Sequence, residues 1–269
     1  MEILEYRGVE GLVAAEVLTD DESSGYTTGT PFAVAGVAQI VKTTDSSNEA
    51  HYYDNIPAVV IASNGSDTVK INASALPLDV VAKLTGQHYD PDTGSMTEGE
   101  RQVKYFALGY KTRKSNGDEM YVWRLKGTFA VPDEEANTID KGTSANGQTL
   151  VYTGISTTKV FSETGKRAKA LVVDVAQNKA NVTSFFNAVT TPDTLVAKTA
   201  YTLTKTQGAS TTLTIVRRGE ALDNNAAIYA GDELKITVTG GTVTVNSSAF
   251  ISGDIHVVSG NTTVVSTHS

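Results

Sequence analysis

Four histidines, His51, His88, His256 and His268, are the side chains of this chain best suited to metal ligation or proton transfer. A helical zinc site needs two of them on one face, a turn apart, and none has a partner at that spacing. They read as surface or turn histidines. The segment Gln87-His88-Tyr89-Asp90-Pro91-Asp92-Thr93-Gly94 resembles half of a calcium loop, yet it lacks the full run of oxygen ligands and the closing bidentate Glu. A turn rich in Asp, Pro and Gly explains the same letters. Two carboxylate trios, Asp20-Asp21-Glu22 and Asp133-Glu134-Glu135, fall in expected loops. Paired glycosidase acids need a fixed separation on rigid elements, and the single Trp, on a core-like strand face, gives no sugar platform. No Gly-x-Ser-x-Gly elbow, phosphate-cradling Gly-x-x-x-x-Gly-Lys or Gly-x-Gly-x-x-Gly occurs. The expectation is a protein that is not an enzyme, with no catalytic, cofactor or metal residue to name.

Composition narrows the classes further. With 40% hydrophobic residues in 269 the chain can fill a core, and its length favours one large or two modest domains. Lys+Arg 22 against Asp+Glu 30 leaves a net charge of −8, which repels nucleic acid and anionic membranes unless cations are segregated. The densest clusters, Arg217-Arg218 and Lys166-Arg167-Ala168-Lys169, are short and read as solvated turns or edge-strand cations. Cysteine is absent, which excludes disulfides, thiolate metal sites and thiol nucleophiles and fits assembly in a reducing cytosol. Neither a secretory signal nor a bilayer-spanning stretch is visible, so a soluble protein is expected.

The stretch around which the chain is organised is 74–132. Leu76, Val80, Val81 and Leu84 form one apolar stripe, predicting a helix with Pro77 at its first position, Asp79 and Lys83 complementing its dipole and Gly86 stopping it. Two amphipathic strands follow, joined at Ser115-Asn116-Gly117; Tyr121, Trp123, Leu125, Phe129 and Val131 alternate with Val122, Arg124, Lys126 and Thr128, predicting a half-buried strand.

Upstream, 11–19 and the small-residue segment 32–44 read as strands, the latter suited to packing against a neighbouring subunit. Residues 45–55 read as a polar loop, and 58–62 and 68–73 as strands turning at Asn64-Gly65. Downstream, 148–162 and 168–174 read as a hairpin around Glu163-Thr164-Gly165-Lys166, and 178–189 as a second short helix closed by Pro192. Past Leu195 short Thr/Val strands with Gly turns predict a separate small β-sandwich. The expected division is 1–195 and 196–269.

Five stretches in this order resemble the major tail proteins of long-tailed, non-contractile bacteriophages, in the branch typical of Gram-positive hosts. They are 11–14, Ala33-Val34-Ala35-Gly36-Val37-Ala38, Tyr53-Asp54-Asn55, the Leu76–Gly86 helix, and the hairpin from Val103–Tyr110 to Tyr121–Arg124. The resemblance spans about residues 8–192. It implies a mainly β chain: a tail-tube β-sandwich or barrel with flanking short helices, followed here by an Ig-like decoration domain. It further implies a virion protein, assembled in the host cytoplasm as hexameric rings that stack into the tail tube. Its partners would be copies of itself, the tape measure, the tail terminator and the distal tail protein, with no membrane and with DNA passing the lumen without specific binding. The loop 45–55 would bridge successive rings. The alternative is a host-surface adhesion module of two β domains.

Overall fold

The computed structural model describes residues 3–53, 56–133 and 147–268. Contacts divide the chain into two compact units, Met1–Ala176 with Val182–Leu195, and Gln177–Asn181 with Val196–Ser269. The chain therefore enters the second unit briefly at 177–181, returns for 182–195, and re-enters at Val196, where the sequence predicted a single crossing.

The first unit carries β1 (Tyr6–Asp21), β2 (Gly25–Thr28), β3 (Phe32–Ala33), β4 (Val37–Tyr53), β5 (Ile56–Ala73) and α1 (Leu78–Thr85). Then come the small pair β6 (His88–Asp90) and β7 (Ser95–Thr97), and β8 (Phe106–Lys114), β9 (Glu119–Phe129), β10 (Gln148–Gly154) and β11 (Ala170–Asp174). The main sheet runs β2-β1-β8-β9-β10-β5-β4, with β3 also on β1 and β11 also on β9. It nearly closes on itself. β3 pairs with β1 and leads straight into β4, at the opposite end of the sheet. The crossover is held on both sides, as the Val34 N–H donates to the Leu12 carbonyl (3.1 Å) and the Ser74 N–H to the Gly36 carbonyl (2.8 Å). Inside lie Leu12, Val69, Ile71, Leu108, Val122, Phe129, Leu150 and Tyr152, with Val81 and Leu84 of α1 packed on the same core.

α1 follows its sequence signals: Asp79 is in its first turn, Lys83 in its last, and Gly86 takes the left-handed φ of 73° with its N–H donating to Ala82 O. Pro77 is the N-cap, in extended conformation, one position earlier than expected. Lys83 Nζ lies 3.6 Å from the centroid of the Phe32 ring, tying the helix to the crossover.

Five expectations need correction. Residues 45–53 are not a loop, and Asn64-Gly65 is not a turn; both belong to one long antiparallel ladder from Val37↔Ala73 to Tyr53↔Ile56, with a bulge between Thr44↔Asp67 and Ser46↔Asn64. The extra residues opposite Asp45 absorb the Gly65 signal in a bulge. Residues Asp54 and Asn55, where the expected loop ended, lie outside the described residues. β11 does not pair back on β10, since both lie on the same side of β9, β10 at 127–129 and β11 at 120–124.

The expected second helix is instead the short strand β12 (Ala180–Asn181) followed by turns. Its bonds close over three residues, Phe185 N–H to Val182 O and Asn187 N–H to Ser184 O. Phe185 and Val189 are buried, as their helical spacing implied, but the segment is shared between two units and cannot run as one helix.

The alternation on β9 also changes face. A bulge between Phe106↔Gly127 and Leu108↔Arg124 shifts the register, so Val122 and, beyond the bulge, Phe129 enter the same core. Trp123, fully buried, lies on the other face beneath Phe186 (ring centroids 5.7 Å), its indole N–H donating to Phe185 O at 2.8 Å. Gly109 makes room there, because a Cβ would come within 2.8 Å of the Trp123 ring. β9 is thus buried on both faces, where the sequence predicted one.

The second unit adds to β12 the strands β13 (Val196–Ala197), β14 (Ala200–Thr206), β15 (Thr212–Arg217), β16 (Glu220–Ala221) and β17 (Ala227–Tyr229). It ends with β18 (Glu233–Thr239), β19 (Gly241–Val245), β20 (Ser248–Phe250), β21 (Ile255–Val257) and β22 (Thr262–His268). Two sheets, β17-β14-β22-β19-β20 and β16-β15-β18-β21, bury their own core of Leu203, Leu213, Ile215, Ile228, Leu234, Ile236, Val243 and Val264. The first and last long strands, β14 and β22, pair in parallel. The protein is mainly β, with β-sandwich character in both units.

Candidate assembly interface

The residues singled out for chemistry are dispersed. His88 is exposed on β6. His256 stands beside Phe250, 6.3 Å between ring centroids, with burial lowering its pKa, and His268 Nδ1 is 2.9 Å from Gly240 O. The side chain of His51 lies outside the described residues. Among the described residues no three His, Asp or Glu gather where a metal could be held. Asp90 accepts from Asp92 N–H (3.0 Å) and Thr93 Oγ1 (2.6 Å), capping its own turn.

The first carboxylate trio is structural. Asp21 accepts from the Ser23 and Ser24 N–H groups in the β1–β2 turn. Asp20, its side chain 4% exposed, accepts from Lys126 Nζ at 2.5 Å and from the Thr158 and Lys159 N–H groups, tying the 155–169 segment to the sheet. Burial alone would raise the Asp20 carboxyl; these bonds outweigh it and hold the carboxyl low. Asp133 forms a bridge with Thr149, and Glu134 and Glu135 lie outside the described residues. The basic clusters are divided: Arg167 pairs with Glu22, Lys169 with Asp67 and Arg217 with Asp232.

What the fold does assemble is a set of unfinished strands. Beyond the bulge at Asp45, the β4–β5 ladder pairs only with itself, because β10 reaches β5 only at 67–73. Ser46–Tyr53 and Ile56–Asn64 therefore form a two-stranded ribbon with no third strand among the described residues. At ~3.3 Å per residue each arm runs about 25 Å. A lone two-stranded hairpin is marginal in water. Among the described residues β4 ends the sheet along its whole length, and Tyr6–Gly11 of β1 is paired with β8 on one side only. Long open edges of this kind are templates for another chain.

The root of the ribbon is fixed by a buried ion cluster that the sequence did not announce. Arg124, read as a residue of the polar face, is 6% exposed. Its Nη1 is 2.8 Å from Asp67 Oδ2 and its Nη2 is 3.2 Å from the Tyr110 hydroxyl. Lys169 Nζ reaches Asp67 Oδ1 at 3.4 Å and also donates to Gly65 O, in the bulge. Burial pushes the Asp67 carboxyl up, but the Thr44 hydroxyl and the Lys169, Arg124 and Lys42 cations pull it down further, and the net shift is downward. The only sequence signal was a lone Asp between two strand halves, which pattern reading assigns to a turn.

Neither a known protein family nor a curated protein matches this chain.

Proposed function

We propose that this chain is a self-assembling structural protein, the major subunit of a phage tail tube, polymerising as stacked rings through which DNA passes. The observation that carries this reading is the ribbon formed by 46–53 and 56–64, which among the described residues pairs only with itself while its root is locked to the sheet. An isolated ribbon has too little buried surface to hold its shape alone, and a buried charge cluster is an expensive way to aim one that does nothing. Copies of the chain offer it partners. The open edges of β4 and β1 support the same reading, since closure against neighbours removes exposed edges. The net charge of −8 fits a channel to which DNA does not adhere. The second unit, with its separate core, is read as an Ig-like decoration of the tube wall.

The test is assembly of the purified full-length protein. At high concentration, negative-stain microscopy should show rings or tubes, and sedimentation velocity should show large species that dissociate on dilution. A monomer at every concentration that binds bacterial cell surfaces would replace this reading with an adhesion module.

A further inference from the structure

In the second unit, Lys198, Asn178 and Asp232 meet beside the β12–β13 pair. The register Ala180↔Ala197 continues there, with the Lys198 N–H donating to Lys179 O at 2.8 Å. Asn178 holds a left-handed φ of 54°, a region that Asn tolerates better than most residues. Both polar atoms of its amide are held. Nδ2 donates to Asp232 Oδ1 (2.8 Å) and Ala230 O (3.0 Å), and Oδ1 accepts from Lys198 Nζ. Asp232, its side chain 4% exposed, is itself fixed by Arg217 Nη1 at 2.8 Å and the Tyr229 N–H at 2.9 Å. Burial would raise its carboxyl, but the bonds from Asn178, Arg217 and Tyr229 hold it down, leaving an anion able to accept a proton. A lysine on an asparagine oxygen is an ordinary hydrogen bond. An amine at one end of an amide with a carboxylate at the other is an arrangement for acyl transfer.

We propose that Lys198 and Asn178 join covalently, through an amide between Nζ and Cγ. The lysine nitrogen, having shed a proton, attacks Cγ and forms the new C–N bond. The bond from Cγ to Nδ2 then breaks, and Nδ2 leaves as ammonia. Asp232, hydrogen-bonded to Nδ2, is placed to take protons from the attacking nitrogen and pass them to the departing one. An ammonium and a carboxamide thus become a secondary amide and an ammonium ion, and no oxidant or other reactant is needed. Holding both partners in one site supplies the effective concentration that such a reaction lacks in free solution. The bond staples β12 to β13, strands of two residues each, in a chain with no cysteine for a disulfide. It is independent of how copies of the chain assemble.

The purified full-length protein should have an intact mass lower than its sequence requires by one ammonia. Trypsin should not cut after Lys198, and should release 170–179 and 180–205 as one branched peptide. Lys198→Arg keeps a cation beside Asn178 Oδ1 but offers no comparable nucleophile, so it should have its full mass. Asp232→Asn removes the proton carrier and should remain mostly at full mass when wild type has reacted completely. A wild-type protein of full mass, cut normally after Lys198, would overturn the proposal. So would loss of ammonia without the branched peptide, the mark of succinimide closure at an Asn-Gly pair such as Asn116-Gly117.

Discussion

At the scale of single residues, the decisive pair is Arg124 and Asp67. Their side chains are 8% and 7% exposed and meet at 2.8 Å, so neither charge has water to fall back on. Removing one member of such a pair typically costs about 3–5 kcal/mol, because the other remains buried and uncompensated. Asp67→Asn should lower the stability of the first unit by that order, measured by urea unfolding at neutral pH. The same pair sets an acid dependence. The native Asp67 carboxyl lies below its ordinary range, so the unfolded chain binds the proton more readily. The contribution is therefore complete above the unfolded value of about 3.9 and is lost as pH falls through the lower native value. Wild type should lose stability more steeply below about pH 4 than Asp67→Asn. Equal slopes would show that the pair contributes nothing to acid unfolding. Sequence alternation assigned Arg124 to solvent, but in the fold it shares the core face of β9 with Val122, two residues away, and meets Asp67 of β5 there.

At the scale of elements, the β4–β5 ribbon separates folding from assembly. The core of the first unit draws on β5 through Val69, Ile71 and Ala73, all on the body side of the bulge. Replacing residues 48–62 by Asn-Gly would join Ser47 and Ser63, which already face each other in the ladder, by a two-residue hairpin turn. The expected outcome is a subunit whose circular-dichroism melting midpoint stays within a few degrees of wild type but which no longer forms rings or tubes under the microscope. Wild-type tubes from this variant would show that the ribbon has no part in assembly. α1 shows the opposite case of legibility. Its stripe, dipole-complementing charges and glycine stop were all local signals, and the helix forms where they placed it to within a residue. The segment 178–189 carried a similar stripe without becoming a helix, because its first residues pair with 196–197 in the second unit while 182–189 belong to the first.

At the scale of the whole molecule, each unit has its own core, so calorimetry should resolve two unfolding transitions. The short passage at 177–181 belongs energetically to the second unit. Asn178 Nδ2 donates to Asp232 Oδ1 (2.8 Å) and Ala230 O (3.0 Å), and Lys198 Nζ donates to Asn178 Oδ1. Asp232 also takes Arg217 at 2.8 Å and the Tyr229 N–H at 2.9 Å. Asn178→Ala leaves these groups underbonded, at a cost of about 1–3 kcal/mol. It should lower the second unit's transition by several degrees while leaving the first unit's in place, although Asn178 lies upstream of residues 182–195 of the first unit. Displacement of both transitions together would mean the units do not unfold independently.

The amino-acid sequence alone determined the β-rich class, the acidic balance, the absence of thiol chemistry, the capped helix and a separate Thr/Val-rich unit after Leu195. Each of these is a sum over composition or a pattern within one segment. The tertiary structure decided which face of β9 is inside, which strand β11 joins, that 37–73 is one ladder and not two short ones, and that the chain visits the second unit twice. A bulge shifts the register by one residue and exchanges the faces of everything beyond it. Whether a strand edge is covered depends on chain tens of residues away, so local pattern carries no record of it.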